Sequence, residues 1–381
     1  MYIPRHLQLA PLLSNKSYFL FGPRQTGKTA LIKEQLMNHK YYNLLDRGLY
    51  LRLNTDPTLI RKELTANDRI VIIDEIQKIP ALLDEVHLMI EELGIHFLLT
   101  GSSARALKAQ GVNLLGGRAR QRLLHPFIQK ELAEKFELIR ALDRGLIPSI
   151  YFSDSYLEDL EAYCGQYLKE EIAGEAKVRN IGAFSRFLEV AGLCNSQMIN
   201  YTQVGNDAQI PPSTIREYFQ ILYDTFLAYE VKAYKQTTKR KPISASKFYF
   251  FDVGIARFLQ GRKTLSLKSP EFGEAFEHYI FHELTAYCSY NSLPPISYWR
   301  STSQFEVDFI FNGFTAIEVK GKEVITPRDF RGLKALKEEG MMKSYLLVCL
   351  TQTDWKNDGI EVLGWKSFLE KLWKGEFTSV K

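Results

Sequence analysis

Eight residues that follow an apolar run have the types and the spacing to bind the phosphates of a nucleotide. Residues 17–21 are apolar and aromatic, and a helix-like segment begins after the eight. The spacing is GxxxxGK[ST], in which two glycines let the backbone curl around phosphate oxygens. The eight are Gly22, Pro23, Arg24, Gln25, Thr26, Gly27, Lys28 and Thr29. We predict that Lys28 reaches the β and γ phosphates of ATP and that Thr29 ligates Mg²⁺.

A second apolar run ends in two acidic residues, Asp74 and Glu75. Such a run is typical of a buried parallel strand that exposes carboxylates at its tip. We predict that Asp74 holds Mg²⁺, usually through water, and that Glu75 orients or deprotonates the attacking water. Alone, the pair would more simply begin a helix, but the loop at Gly22 favours the catalytic interpretation. A third run, residues 96–99, leads to Ser102, which we expect to sense the γ phosphate.

Arg118 follows two glycines and stands close to Arg120 and Arg122. An arginine from the same chain or from a neighbouring copy commonly neutralises charge in the transition state of such ATPases. We predict this catalytic role for Arg118, with a solvated arginine cluster as the alternative. An arginine supplied by a neighbouring copy would make the protein a homo-oligomer.

A further set of charged residues in the C-terminal third could bind a metal ion. Asp308 is followed ten residues later by Glu318, with Lys320 two residues beyond. A three-residue loop at 312–314 would pair Asp308 with Glu318 on adjacent strands and leave Val307, Phe309, Phe311 and three others on the opposite, mostly apolar face. Glu277 would approach from a helix. We predict that Glu277, Asp308 and Glu318 hold Mg²⁺ or Mn²⁺ and that Glu318 and Lys320 are catalytic in phosphodiester hydrolysis. The alternative is an amphipathic hairpin with a charged outer face.

The middle of the chain contains three helical patterns and then a strand, a basic segment and a second strand. This order predicts a winged helix. The third helix would open at prolines 211 and 212 with Ser213 or Thr214 as its cap, and it would place Ser213, Thr214 and Arg216 against DNA. The hairpin tip, Lys239, Arg240 and Lys241, would lie on phosphates. A protein-docking module is the alternative.

These motifs require several elements to position them. A chain of 381 residues is too long for one usual domain. We predict an α/β protein with three domains: a P-loop NTPase parallel sheet at 1–127, a helical connector and winged helix at 128–268, and an α/β restriction-endonuclease-like domain at 269–381. The net charge is +5, yet residues 231–268 carry ten Lys or Arg and one Asp, a local charge of +9. That asymmetry favours a polyanionic partner such as DNA, with a solvated surface as the alternative.

Composition excludes several classes of protein. Hydrophobic residues at 45% and charged residues at 24% are globular averages and not those of collagen or disordered chains. No apolar stretch reaches the length of a membrane helix, and no cleavable leader is apparent. We therefore expect a cytoplasmic protein with no membrane partner. The four cysteines lack CxxC spacing, so neither disulfides nor a zinc site is predicted.

With these residues in place, nearly the whole chain resembles a family of uncharacterised bacterial and archaeal AAA-type ATPases with a conserved C-terminal region. The resemblance rests on FGPRQTGKT, VIIDEIQKIP, LLTGSSARAL, KFYFFDVGIARFL and EVDFIF with AIEVKGK. The last pair also resembles the PD-(D/E)XK nucleases, whose GxxxE helix pattern is met at Gly273 and Glu277. The resemblance implies ATP binding and does not supply a pathway.

Three functions are compatible with these motifs. The first is a Mg²⁺-dependent ATPase that acts on or with DNA and whose C-terminal fold binds or cuts it. The second is an ATP-driven regulatory switch that docks a protein partner and whose nuclease-like fold is inactive. The third is a structure-specific nuclease that uses ATP only as a conformational gate.

Overall fold

The structure is a computed structural model of the chain. It describes residues 2–103, 105, 107, 115–171, 180–262 and 264–378, with side chains throughout except at 169–171. None of the helices in these ranges is both long and apolar enough to cross a membrane. Three of the four cysteine side chains are buried, the side chain of Cys194 is half-buried, and none of the four is in a disulfide.

The N-terminal region is built on a parallel five-stranded sheet. Its strands are Ser17–Phe21 (β1), Lys40–Asn43 (β2), Ile70–Asp74 (β3), His96–Gly101 (β4) and Ala119–Leu123 (β5). They lie in the order β2-β3-β4-β1-β5, and every pairing is parallel. The central strands are almost continuously apolar and buried, as strands covered on both faces must be. This is the predicted P-loop NTPase-like sheet, and its carboxyl edge collects the ends of β1, β3 and β4.

Short helices connect the strands of this sheet. They are Leu9–Leu13 (α1), Lys28–Gln35 (α2), Arg47–Thr55 (α3), Leu59–Glu63 (α4) and Leu82–Leu93 (α5), with 3₁₀ turns at Ile76–Lys78 and Leu115–Gly117. The first residue of α2 is Lys28, directly after the left-handed Gly27. The glycine spacing in the sequence therefore fixes where this helix begins.

The middle region begins with a series of short helices. They are Gln129–Leu132 (α6), Leu138–Arg144 (α7), Pro148–Tyr151 (α8) and Tyr156–Ala162 (α9), with a 3₁₀ turn at Ala133–Lys135 and π-helical turns over Tyr163–Glu171. Next come Ile181–Leu193 (α10), Gln197–Met198 (β6), Tyr201–Ala208 (α11), Pro212–Asp224 (α12), Ala228–Ala233 (β7), Lys247–Phe250 (β8) and Val253–Leu259 (α13). Helix α12 starts at Pro212, as expected from its proline-led start. The predicted cap is wrong, because Ser213 and Thr214 lie inside the first turn and no side chain caps it.

The C-terminal region supplies most of a second sheet. Its elements are Pro270–Tyr290 (α14), Ser297–Arg300 (β9), Glu306–Phe311 (β10), Thr315–Val319 (β11), a 3₁₀ turn at Pro327–Phe330, Arg331–Lys337 (α15), Ser344–Cys349 (β12), Trp355–Asn357 (β13), Ile360–Gly364 (β14) and Trp365–Trp373 (α16). Strand β10 pairs in antiparallel fashion with both β9 and β11, and β11 pairs in parallel with β12. Helix α15 lies between β11 and β12 in the chain, so a parallel crossover connects them.

Strand pairing joins the middle and C-terminal regions. The second sheet has nine strands in the order β13-β14-β12-β11-β10-β9-β7-β8-β6, and β7 pairs in parallel with β9. An apolar core cluster also spans the chain, since Ile3, Phe127, Tyr249 and Phe309 belong to one cluster. Strands β7 and β8 of the middle region are therefore part of the same sheet as the C-terminal strands.

Candidate functional site

The phosphate-binding loop lies between β1 and α2. Gly22 has φ 151°, and a Cβ at this position would lie 2.5 Å from the carbonyl oxygen of Leu124. Only glycine can bring the loop this close to the residue that follows β5. The Lys28 ammonium donates to the carbonyl oxygens of Gly22 and Pro23 at 2.6 and 3.0 Å. Burial lowers the pKa of Lys28 to about 8, although the carboxylates of Glu75 and Asp74 oppose that shift.

Asp74 is the centre of a hydrogen-bond network at the same edge of the sheet. Its Oδ2 accepts from the Thr29 hydroxyl at 3.1 Å and from the Tyr41 hydroxyl at 2.6 Å. Its Oδ1 accepts from the Thr100 hydroxyl. Asp74 and Thr29, the two predicted Mg²⁺ ligands of this site, are therefore in direct contact. Tyr41 was missed because nothing in its local sequence marks it, and only strand order brings β2 beside β3.

Glu75 adopts the left-handed conformation, with φ 62°. Its backbone N–H donates to the Thr100 hydroxyl at 3.3 Å, and its carboxylate accepts from the Gln77 amide. The same amide lies 3.4 Å from the hydroxyl of Ser102, the predicted sensor. Gln77 thus links the predicted base to the predicted sensor. Its position two residues after Glu75 is a signal that could have found it.

The structure does not bring Arg118 to the P-loop of its own chain, which is one of the two sources of a catalytic arginine that the sequence left open. Strand β5 runs parallel to β1, with Ala119 opposite Ser17 and Leu123 opposite Phe21. Arg118 therefore lies at the beginning of β5 and β1. The P-loop follows the other end of β1, about 16 Å away along the strand. It forms an ion pair with Glu91. Service to the P-loop of a neighbouring copy stays a prediction.

The P-loop also contacts the middle region and the chain's first residues. The Arg24 guanidinium lies over the Tyr167 ring at 5.1 Å, and the Ser149 hydroxyl donates to the Gln25 side chain at 2.7 Å. The buried Arg5 donates to the carbonyl oxygens of Thr26 and His125, both at 2.6 Å. The loop is thus held from two sides by segments remote in sequence.

The charged residues of the C-terminal region meet at the β10–β11 hairpin. Phe309 pairs with Ile317 and Phe311 with Thr315, so the turn is the expected three-residue loop. Asp308 and Glu318 are the next residues of the two strands beyond the last pair, and the Val319 N–H donates to Asp308. Asn312 and Gly313 are both left-handed. One detail of the prediction is wrong: Val307 packs with Ile310 and Ala316, not with Phe309. A β-bulge between Val307 and Ile310 shifts the alternation of faces.

Glycine at position 321 brings helix α14 to this site. A Cβ on Gly321 would lie 2.8 Å from the Cα of Gly273, so the end of β11 and the first turns of α14 are in backbone contact. Glu277 lies one helical turn after Gly273 and comes close to Asp308 and Glu318. Burial, and then the charge of Asp308, raise the pKa of Glu277 to about 7.

Glu318 has one carboxylate oxygen with a partner and one without. Its Oε1 lies 2.5 Å from the Lys320 ammonium, whereas its Oε2 is buried and has no hydrogen-bond partner among the residues that the structure describes. Burial and the neighbouring Asp308 raise the pKa of Glu318 well above its usual value. The Asp308 Oδ2 accepts from the Val319 N–H at 2.8 Å. Burial disfavours the charged form of Lys320, but Asp308 and Glu318 outweigh it and raise its pKa.

Two further groups at this site come from β8. The Lys247 ammonium lies 2.5 Å from Glu306 and 3.8 Å from Glu277, and the Tyr249 hydroxyl donates to Glu277 at 2.6 Å. Sequence reasoning assigned both residues only to the hairpin of the middle region. The alternation of KFYF, with polar groups two residues apart, was a weak signal.

The carboxylates have the chemistry of a Mg²⁺ or Mn²⁺ site, which is usually built from one or two carboxylates and water. Asp308 and Glu318 supply that pair, and the unpartnered Oε2 of Glu318 fits a cation ligand. Within the described part of the chain, no group of three or more His, Cys, Asp or Glu side chains is arranged to hold a metal ion. Glu277 would therefore act from the edge of the site.

The predicted DNA-binding residues divide into two groups. Ser213 and Arg216 are exposed on the first turns of α12, Thr214 is half-buried, and the Arg216 guanidinium lies 4.4 Å from the centre of the Tyr201 ring. At the expected hairpin tip, Arg240 forms ion pairs with Glu338 and Glu339. The tip is thus folded onto the C-terminal region and is not a free basic surface at Arg240.

The backbone of the two residues beside Arg240 is also hydrogen-bonded to the C-terminal region. The Lys239 N–H donates to Glu339 at 2.8 Å, and the Lys241 carbonyl oxygen accepts from the Thr302 N–H at 3.0 Å. Both lysine side chains remain exposed.

Family models match three consecutive parts of the chain. A model described as an AAA domain matches residues 14–133. Over these residues the chain is similar to AAA domains, which supports the predicted ATPase activity. Two further models, Domain of unknown function (DUF8612) and Domain of unknown function (DUF4143), match residues 136–266 and 272–368. The part that is similar to AAA domains is therefore followed by two parts that are similar to domains of unknown function.

An uncharacterized protein of Haemophilus influenzae is 24% identical to this chain in an alignment of 231 residues that covers 56% of each protein. The chain thus spans 56% of the length of that relative. The ORC1 protein of Aeropyrum pernix in complex with DNA is 13% identical, covers 68% of this chain and 94% of that one, and has a TM-score of 0.27. The Pif1 helicase of Candida albicans is 16% identical, covers 42% of this chain and 47% of that one, and has a TM-score of 0.25.

Proposed function

We propose that this protein is an ATPase that acts on DNA and carries a divalent-cation-dependent phosphodiester-hydrolysing site in its C-terminal region. The observation that carries the nuclease part is the buried, unpartnered Oε2 of Glu318 beside Asp308 and Lys320. A buried carboxylate oxygen without a partner is costly unless something binds it. The elements support the same assignment, because helix α14 carries Glu277 to the antiparallel strands β10 and β11 that carry Asp308 and Glu318.

At the ATP site, Lys28 would exchange its contacts with the carbonyl oxygens of Gly22 and Pro23 for the β and γ phosphates. Thr29 and Asp74 would hold Mg²⁺, the former directly and the latter through water. Glu75, whose carboxylate is oriented by Gln77, would position the attacking water. Gln77 also lies near Ser102. A change at Ser102 when the γ phosphate leaves would therefore alter the contact between Gln77 and Glu75.

At the C-terminal site, Asp308 and Glu318 would hold Mg²⁺ or Mn²⁺, with Glu277 at its edge. When bound, the cation would polarise the phosphodiester and lower the pKa of a water molecule. Lys320 keeps its charge and would face the phosphate oxygens while it offsets the charge of Glu318. The hydrogen bond from the Val319 N–H fixes one Asp308 oxygen and leaves the other for the cation.

Contact with DNA would come from the middle region, which we interpret as a winged helix. Helices α10, α11 and α12 followed by the β7–β8 hairpin support that interpretation, as does the exposure of Ser213 and Arg216 at the start of α12. Lys239 and Lys241 would add phosphate contacts from the exposed side of the loop. Several basic residues of 231–268 are neutralised by carboxylates, among them Arg240 and Lys247, so the charge that favours such a partner is that of the exposed lysines.

A second candidate function is an ATP-driven switch that docks a protein partner and does not cut DNA. Two observations favour it. Arg240 is already neutralised by Glu338 and Glu339, which reduces the charge available for DNA. Arg105, just beyond Ser103 at the carboxyl edge of the first sheet, forms an ion pair with Asp224 at the end of α12. Through this ion pair, a change at the nucleotide site would alter a contact of the middle region.

The test combines DNA binding with cleavage. The wild type and Glu318→Gln are titrated with duplex, forked and single-stranded DNA at several salt concentrations, and supercoiled plasmid is incubated with Mn²⁺. We expect binding that weakens steeply with salt and nicking that is lost in Glu318→Gln while ATP turnover persists. Salt-dependent binding without nicking would reduce the C-terminal site to a binding platform. Absence of DNA binding at low salt would favour the switch.

A further inference from the structure

Lys247 is a buried lysine that the middle region contributes to the carboxylate cluster. It lies in β8, where it pairs with Val231 of β7 and with Met198 of β6. Only 3% of its surface is exposed. Its ammonium lies 2.5 Å from Glu306, 3.8 Å from Glu277 and 5.3 Å from the centre of the Tyr298 ring.

The charges of the cluster divide between its two lysines. Lys320 faces Glu318, whereas Lys247 faces Glu277 and Glu306. Arg300 also contacts Glu306, at 3.2 Å. A lysine ammonium beside Glu277 competes with any divalent cation for that carboxylate, and its charge repels a cation held by the neighbouring Asp308 and Glu318.

We propose that Lys247 is a positioning residue that orients Glu277 and lowers the affinity of the C-terminal site for divalent cations. This inference rests on the proposed function of that site. Because Lys247 stands on β8, which is hydrogen-bonded within the β6-β8-β7 part of the sheet, cation affinity depends on where the middle region holds this strand. Lys320 differs because it directly follows β11 of the C-terminal region itself.

The experiment measures binding of Mn²⁺ alone to the full chain by the electron paramagnetic resonance signal of free Mn²⁺. Lys247→Met removes the ammonium and keeps most of the side-chain volume. We expect it to lower the dissociation constant for Mn²⁺ about tenfold or more, since unit charges several ångströms apart in a partly buried site interact by at least that factor. Sites at the P-loop are separated by measuring every variant in a Lys28→Ala, Thr29→Ala background.

Lys232→Met is the matched control. Lys232 is exposed on β7 of the same hairpin, and it follows Val231, the partner of Lys247, so its side chain points to the opposite face of the sheet. We expect its Mn²⁺ affinity to stay within twofold of the wild type. An equal gain in both variants would mean that overall charge is responsible and would overturn the proposal.

Lys247→Met leaves Glu306 and Glu277 without this counter-charge. A second variant is therefore included in case Lys247→Met does not fold. Lys247→Met with Glu306→Gln removes one charge of each sign and should bind Mn²⁺ more tightly than Glu306→Gln alone. Unchanged or weaker binding in this comparison would overturn the role of Lys247 while leaving the cation site intact. If the parent shows no Mn²⁺ binding that Glu318→Gln removes, the proposed cation site itself fails, and the role of Lys247 with it.

Discussion

At the scale of single residues, the ATP site consists of side chains already connected to one another. Asp74 accepts from Thr29, Tyr41 and Thr100, and Gln77 contacts both Glu75 and Ser102. Preorganisation of this kind reduces the reorganisation needed when nucleotide binds. Among the residues of this site, Lys28 must change its contacts most when nucleotide binds, because its ammonium is buried against backbone carbonyl oxygens.

We predict that Lys28→Ala abolishes ATP hydrolysis, because it removes the charge that would meet the phosphates. Glu75→Gln should retain nucleotide binding and lose turnover by about 100-fold or more, since it removes only the carboxylate that positions water. Turnover is measured by phosphate release and binding by a fluorescent ATP analogue. Lys33→Ala, an exposed lysine of the same helix, is the control. Normal turnover in Lys28→Ala would contradict the assignment of this site.

Glu283 gives a pH-dependent prediction. It is fully buried and accepts hydrogen bonds from the Gln129 N–H, the Tyr279 hydroxyl and the Trp373 indole. Burial raises its pKa from 4.5 to about 7. The folded state therefore retains a proton that the unfolded state loses, so the stabilising contribution of Glu283 is largest below pH 4.5 and falls as pH rises to 7. The contribution of this residue to that fall is about 3 kcal/mol.

The measurement is the free energy of unfolding in urea between pH 4.5 and 7.5 for the wild type and Glu283→Gln. The difference in unfolding free energy between the two proteins should change with pH in this window and level off above it. A constant difference would show that Glu283 titrates alike in the folded and unfolded states.

At the scale of elements, the C-terminal site depends on how closely α14 approaches the end of β11. Gly321 allows backbone contact with Gly273, and the bulge in β10 moves Asp308 out of simple alternation. The glycine contact involves no charged residue, yet it helps to decide where the charged residues lie. Such close packing leaves little room for relaxation.

Two glycine substitutions separate the two sides of this contact. Gly321→Ala should lower the free energy of unfolding by about 1–3 kcal/mol, because its Cβ would lie 2.8 Å from the Gly273 Cα. Gly273→Ala should be neutral or stabilising by up to about 1 kcal/mol, because a Cβ there meets nothing within 4 Å and alanine favours a helix. Urea denaturation of both variants is the measurement, and equal effects would contradict the contact.

At the scale of the whole molecule, the three regions matched by separate family models share contacts. The N-terminal residue Arg5 reaches the P-loop and the segment after β5. The Phe226 ring, just beyond α12, stacks on Phe21 of β1 at 5.4 Å. These contacts connect the loop that would bind ATP to the regions that would contact DNA.

Arg5 gives a prediction at this scale. Its guanidinium lies 2.9 Å from Glu131, and both side chains are almost completely buried. Arg5→Met should lower the free energy of unfolding by about 3–5 kcal/mol, because it leaves a buried carboxylate without its counter-charge. The double variant Arg5→Met, Glu131→Gln should recover part of this loss. Thermal and urea unfolding measure both, and a single variant as stable as the wild type would show that the pair contributes nothing.

Local sequence determined the parts of this protein that depend on neighbours along the chain. The spacing of Gly22, Gly27 and Lys28 fixed the loop and the start of α2, because φ and the helix N-terminus are set within a few residues. The apolar runs before Asp74 and Thr100 fixed two strands whose ends share an edge, because buried parallel strands must be apolar on both faces. The apolar face of the hairpin favoured a three-residue loop between β10 and β11, and that loop length sets Phe309 against Ile317.

Only the tertiary structure decided which distant groups meet. Strand order brought Tyr41 to Asp74 and carried Arg118 to the edge opposite the P-loop, because the position of β5 beside β1 is not encoded in the residues near Arg118. Pairing of β7 with β9 delivered Lys247 to the carboxylates of another region, and Glu338 and Glu339 neutralised Arg240. Charge and burial act through space, so the surroundings of an ionisable group follow from packing and not from its position in the sequence.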